Sequence, residues 1–194
     1  MVDRPALRQR LRAARRAVPA GERPAAAAAI DVSLARLGLP RAQSRISAYH
    51  PVDGEIDPSV LLNRAAALGC RIHYPVVTDL RARRMRFCSS ADAEATASTI
   101  SPRWLDLVLV PLVGFDDRGN RLGMGAGFYD RHFAFLRHRR AWRRPLLIGL
   151  AFDVQRVDRL AVAAHDIPLW GVVTERGIYG PAAAHARTAS GIRR

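Results

Sequence analysis

The stretch Leu107-Val108-Leu109-Val110 is apolar on consecutive positions, so a strand built from it must be buried on both faces. Four residues later a run opens in which five of the chain's 14 glycines fall between Gly114 and Gly127. A doubly buried strand passing through a glycine-rich loop into a helix is the local arrangement of an α/β sheet, with the loop at the strand's carboxyl end, where ligands bind in such sheets. The rest of the pattern agrees. Amphipathic helices are predicted from Asp3 through Val18 (apolar Leu7, Leu11, Ala14, Val18) and from Pro24 to Leu37 (Ile30, Leu34, Leu37). A third is predicted after Asp57-Pro58, with Val60, Leu61, Ala65 and Leu68 inward, and a fourth over about Tyr129–Arg140. Strands are expected near Ile46–His50, Arg71–Val77, Met85–Cys88, Leu146–Leu150 and Gly171–Thr174. The expected architecture is therefore α/β: a single three-layer domain over residues 1–180, its largely parallel or mixed central sheet flanked by helices. Residues 181–194, rich in Ala, Ser and Arg, read as a mobile basic tail.

Composition narrows the chemistry. All 31 basic residues are arginine, against 17 acidic ones, for a net charge of +14. Without lysine there is no Walker-A loop and no Schiff-base or pyridoxal chemistry. The charge favours anionic partners, with nucleotides and nucleic acid as the alternatives. Two cysteines with no spaced framework, and no apolar block behind the basic N-terminus, point to a reducing cytoplasm. The longest apolar run, Leu107–Phe115, is too short to span a membrane. No histidine lies in H-E-x-x-H spacing and no G-x-S-x-G elbow occurs. Asp116-Asp117-Arg118-Gly119-Asn120 reads as a turn rather than a carboxylate pair. The stretch from Arg137 to Arg144 mixes basic and aromatic residues, and reads as a solvated helix end before it reads as a nucleic-acid surface.

The loop carries the sharpest signal. Gly123, Gly125 and Gly127 free the backbone to approach a ligand and turn N–H groups onto it. Arg121 is suited to bridging phosphate oxygens, and Asp130 to holding a Mg²⁺ that itself bridges phosphates. The spacing is neither G-x-G-x-x-G nor G-x-x-x-x-G-K, which excludes the usual dinucleotide and P-loop signatures.

Arg121-Leu-Gly-Met-Gly-Ala-Gly-Phe-Tyr-Asp130, preceded by Val110-Pro-Leu-Val-Gly-Phe-Asp116 and Gly119, resembles the signature of the 5-formyltetrahydrofolate cyclo-ligase family. The basic first helix, the stretch from Tyr49 to Glu55, and His165-Asp-Ile-Pro168 before Val173-Thr174 agree in order. The resemblance implies an ATP- and Mg²⁺-dependent enzyme converting 5-formyltetrahydrofolate to 5,10-methenyltetrahydrofolate in the cytoplasm. It places Arg4, Arg8 and the run Arg121, Leu122, Gly123, Met124, Gly125, Ala126, Gly127, Phe128 and Tyr129 on ATP. His50 and Glu55, with Met124 to Phe128, would line the folate pocket, and Asp130 and Asp166 would be the metal-side carboxylates. Arg121 and Glu55 are the expected catalytic pair, one neutralising charge on phosphate and the other accepting from folate N–H groups. The rival readings are a non-enzymatic binder of nucleic acid or other polyanions, and an ATP-using relative with an altered substrate.

Overall fold

The computed structural model describes residues 3–89, 98–139 and 144–191. Helices α1 (Arg4–Ala17) and α2 (Arg23–Arg36) lead into strand β1 (Arg45–Ser47), helix α3 (Ser59–Ala67) and the hairpin of β2 (Arg71–Asp79) and β3 (Arg84–Cys88). β4 (Thr99–Ile100), β5 (Leu107–Pro111) and the small hairpin of β6 (Gly114–Phe115) and β7 (Arg121–Leu122) follow. Then come α4 (Phe128–His132), β8 (Leu146–Leu150), β9 (Gly171–Val173), β10 (Ile178–Tyr179) and α5 (Pro181–Gly191). Among the described residues, eight strands form one sheet in the order β10-β9-β8-β5-β1-β2-β3-β4, while β6 and β7 pair separately. The five central strands, from β9 to β2, run parallel, and antiparallel strands close both edges. The mixed sheet expected from the alternation of strands and helices is the one observed.

β5 shows why its sequence is apolar throughout. Leu107 and Leu109 point into a core shared with Ile30 and Leu34 of α2 and with Leu61 of α3. Val108 and Val110 point the other way, into a core with Phe87, Phe115 and Phe133. Burial on both faces removes any position for a polar residue. A smaller cluster of Leu7, Leu11, Val113, Leu122 and Leu160 docks α1 onto the β6–β7 hairpin. The 116–120 segment is the turn that its composition suggested. The fully buried Asp116 carboxylate accepts from the N–H groups of Arg118 (3.0 Å), Asn120 (3.1 Å) and Leu160 (3.1 Å).

Four expectations are corrected. The inward stripe of α1 is Leu7, Leu11 and Arg15 rather than Ala14, because Arg15 meets carboxylates of the 53–55 turn, while Val18, at the helix's C-cap, packs partly buried against the main core as expected. In α3 only Leu61 and Ala65 are buried, while Val60 and Leu68 lie exposed. The helix expected over Tyr129–Arg140 is the five-residue α4 followed by a 3-10 segment, Ala134–His138. Phe133, fully buried and packed against Phe87 (5.7 Å between ring centroids) and Phe135 (6.1 Å), breaks the helix between them. The stretch read as a mobile tail begins as α5, where alanines favour helix and Ala182 is buried beside Gly171. The basic run ending at Arg144 lies partly outside the described residues.

Candidate active site

Beyond the carboxyl ends of β1 and β5 lies a cavity of about 430 Å³. Helix α1, the 53–55 turn, the end of β5, the 123–127 loop, α4 and the 165–166 loop all face it. Their convergence follows from topology, since the ends of parallel strands and the loops leaving them share one side of the sheet.

The loop floor is backbone. Gly125 and Gly127 have φ of 103° and 70°, a region that side-chain-bearing residues rarely adopt. Arg8 is clamped beneath the loop by a 2.9 Å bond from its Nε to the Gly123 carbonyl. A Cβ added at Gly125 would lie 3.6 Å from the Arg8 guanidinium. Arg4, one turn earlier on α1, stands 3.9 Å from Asp166. The amphipathic spacing of α1 thus buries Leu7 and Leu11 while aiming Arg4 and Arg8 at the cavity.

Arg121, with only 7% of its side chain exposed, is held by two partners. Its Nη2 donates to Asp130 Oδ1 at 2.6 Å, and its Nη1 donates to the Ile167 carbonyl. The same Asp130 oxygen accepts from the Ile167 N–H at 3.0 Å. Asp130 is therefore first the anchor of Arg121. Asp166 accepts from the Ala163 N–H at 2.9 Å and faces Arg4. Both carboxylates line the cavity, and no cluster of three or more His, Cys, Asp or Glu side chains suited to a metal occurs among the described residues. Mg²⁺ ordinarily takes one or two carboxylates, several waters and the substrate's own phosphates, so this donor set fits it only together with a phosphate ligand.

Glu55 also lines the cavity. Its Oε2 accepts from the Val52 N–H at 3.2 Å, and its Oε1 lies 3.4 Å from Arg15 Nη1. Burial raises its pKa above the usual carboxylate value, an effect that Val52 and Arg15 oppose. Burial likewise pushes the Tyr129 phenol up, so that group remains a hydrogen-bond donor at neutral pH. The cavity is therefore lined by three arginines, Arg4, Arg8 and Arg121, of which Arg4 and Arg121 are paired with Asp166 and Asp130, and by the carboxylate of Glu55, held by Arg15.

Most sequence-predicted residues meet here: Arg4, Arg8, Glu55, Arg121, Asp130, Asp166 and every residue from Gly123 to Tyr129. Two do not. The Leu122 side chain is buried in the cluster beneath α1. His50 is exposed and stacks on Tyr74 with centroids 4.5 Å apart, outside the cavity lining. Pro111 joins the lining without having been assigned a role there, and His165, which its position beside Asp166 marks as a neighbour of the site rather than a base, lines it too. The residue missed altogether is Arg15. The signal for it was available: it extends the Leu7–Leu11 spacing by one turn, facing two acids in a short turn.

A family described as the 5-formyltetrahydrofolate cyclo-ligase family matches residues 1–175. The chain belongs to the 5-formyltetrahydrofolate cyclo-ligase family. Among its relatives, the 5-formyltetrahydrofolate cyclo-ligase of Mycolicibacterium smegmatis is 32% identical over 189 residues, covering 89% of this chain and 94% of that one. The enzyme of that name from Escherichia coli K12 is 32% identical over 165 residues, covering 72% and 88%. The solved structure of a 5,10-methenyltetrahydrofolate synthetase from Mycoplasma pneumoniae superposes with a TM-score of 0.75 at 26% identity, covering 90% of this chain and 99% of that one. The whole cavity, from Arg4 to Asp166, falls inside the span matched to the cyclo-ligase family, whereas α5 lies beyond it.

Proposed function

We propose that the chain converts 5-formyltetrahydrofolate to 5,10-methenyltetrahydrofolate, with ATP becoming ADP and phosphate. The carrying observation is the cavity itself, which brings Arg4, Arg8 and Arg121, the 123–127 glycine loop and the carboxylates of Glu55, Asp130 and Asp166 to one place. The triphosphate lies on the loop, with Arg4 and Arg8 approaching from α1 and Arg121 from β7. Asp130 and Asp166 are the carboxylates that would hold Mg²⁺ against the phosphates, where the ion supplies charge neutralisation.

The formyl oxygen takes the γ-phosphoryl group as ADP leaves. N10 then attacks the activated carbon and loses its proton, and the C–O bond breaks to release phosphate. An amide oxygen is a weak nucleophile, so positioning and charge stabilisation carry the first step. Arg121 is pre-oriented for that task by Asp130 and Ile167. Glu55 accepts from folate N–H groups and fixes the ring system so that the formyl group faces the γ-phosphate. Two free cysteines, Cys70 and Cys88, suit a reducing, cytoplasmic setting for this chemistry.

The test is spectrophotometric. Purified protein with ATP, Mg²⁺ and 5-formyltetrahydrofolate is expected to produce the methenyl absorbance, with one ADP formed per product. Hydrolysis of ATP without folate conversion would replace this reading by that of a relative acting on another substrate.

A further inference from the structure

Arg15 is 1% exposed, an unusual place for a guanidinium. Its Nε donates to the Asp53 carbonyl (3.1 Å) and its Nη2 to the Asp53 carboxylate (2.9 Å). Its Nη1 reaches both Glu55 Oε1 (3.4 Å) and the Leu112 carbonyl (3.2 Å). One side chain thus ties α1 to the turn that follows β1 and to the residue that follows β5. Arg12 and Arg16 also bond Asp53, so that carboxylate keeps partners without Arg15. No other cation is paired with Glu55 among the described residues.

We propose that Arg15 is the positioning residue for Glu55, holding its carboxylate ionised and aimed into the cavity from the helix that also carries Arg4 and Arg8. The proposal rests on the folate-side role given to Glu55 above. A buried carboxylate left without its cation takes up a proton instead of bearing an unpaired charge. The other groups facing Glu55 cannot replace Arg15. Asp53 in the same turn, and the Tyr49 and Tyr129 phenols, would each disfavour its charge if ionised; the Val52 N–H adds support, while Arg4, Arg8 and Arg121 line the same cavity without an ion pair to Glu55. Two helical turns separate Arg8, clamped to the loop at Gly123, from Arg15, clamped to the turn at Glu55. Helix α1 therefore sets the spacing between the loop and the turn.

The experiment compares Arg15→Met, Arg15→Lys, Glu55→Gln and the double variant Arg15→Met/Glu55→Gln. Arg15→Met is expected to raise KM for 5-formyltetrahydrofolate about tenfold or more and to move the acid limb of kcat/KM up by about one pH unit, with ATP affinity by calorimetry within about twofold. In the Glu55→Gln background the same change is expected to add less than about twofold, because the partner it serves is gone. Equal losses in both backgrounds, or an unmoved acid limb, would overturn the proposal and leave Arg15 a purely structural residue. If Arg15→Met does not fold, the ¹³C titration of the Glu55 carboxyl in Arg15→Lys decides. An upward shift from wild type supports the proposal, and an unchanged midpoint sinks it. That titration needs no turnover, so it separates failure of this inference from failure of the cyclo-ligase assignment.

Discussion

At Asp130 a single carboxylate oxygen receives both the Arg121 guanidinium and the Ile167 N–H, at 2.6 and 3.0 Å. Sequence position alone shows Asp130 in the first turn after a glycine loop, a place suited to a metal ligand. It does not show that β7 returns Arg121 to meet it. Such pairings across nine residues of irregular backbone depend on loop conformation, which no periodicity encodes. Asp130→Asn keeps an acceptor for Ile167 but removes the charge opposite a nearly buried guanidinium. A charge-assisted bond of this kind contributes about 1.5–3 kcal/mol, so the variant is expected to melt earlier and to turn over at least about tenfold more slowly. Raising Mg²⁺ is expected not to restore the rate. Full recovery at high Mg²⁺, in the same absorbance assay, would make the metal rather than Arg121 the principal partner of Asp130.

Helix α1 and the elements it touches show which kinds of information the sequence carries at the next scale. Its apolar spacing, Leu7 and Leu11, was readable because periodicity records burial directly. Arg15 escaped because the same rule treats any arginine as outward-facing. Asp53, half-shielded and bonded by Arg16, Arg12 and Arg15, has its carboxyl held well below the usual value, chiefly by the Arg16 bond. A lowered folded-state pKa gives stability that is present above the unfolded value of about 3.9 and lost as pH falls through the folded one. Wild-type protein is therefore expected to lose melting temperature between about pH 5 and 3 more steeply than Asp53→Asn, which starts lower at neutral pH. Parallel curves by circular dichroism would show that the clamp contributes nothing to acid lability. Asn tolerates the positive φ of 53° at this position, so the comparison isolates charge. The glycine loop gives a second paired comparison. Gly123 has open space around it, whereas Gly125 sits at a φ of 103°. Gly125→Ala is expected to introduce about 1–3 kcal/mol of strain and to weaken ATP binding about tenfold, with Gly123→Ala close to wild type. Equal effects in calorimetry would mean that the loop adapts its backbone to either change.

For the molecule as a whole, the strand–helix alternation and the doubly buried β5 made the sheet legible, because hydrophobic burial is written residue by residue. Its antiparallel edges and the helix α5 were less so: β10 is two residues long, and the alanines of α5 give no strong pattern. The loop motif made most of the cavity legible, while His50, Leu122 and Arg15 turned on side-chain directions that only packing decides. The net charge of +14 leaves a last question: whether anions bind this chain by its overall field or at this site. Arg4 and Arg8 line the cavity, and Arg8 is anchored to the loop, while Arg10 on the same helix is exposed and outside the lining. Arg10 lies about 200° around the helix axis from Arg8, so it contributes to the field but not to the site. With the triphosphate on the loop as proposed, replacing Arg4 and Arg8 by Ala would remove two guanidinium contacts to phosphate, and the loss of even one, at about 1.5 kcal/mol, is expected to lower ATP affinity about tenfold. Arg10→Ala is expected to leave ATP affinity within about twofold at fixed salt. The same proteins titrated with a DNA duplex separate the two origins of binding further. Any duplex affinity is expected to fall steeply with salt and to drop by similar factors per arginine removed, wherever it sits. ATP binding that tracked the number of arginines lost, with Arg10 counting as much as Arg8, would mean that the field holds the nucleotide. ATP binding that discriminates Arg8 from Arg10 while duplex binding does not places the nucleotide in the cavity.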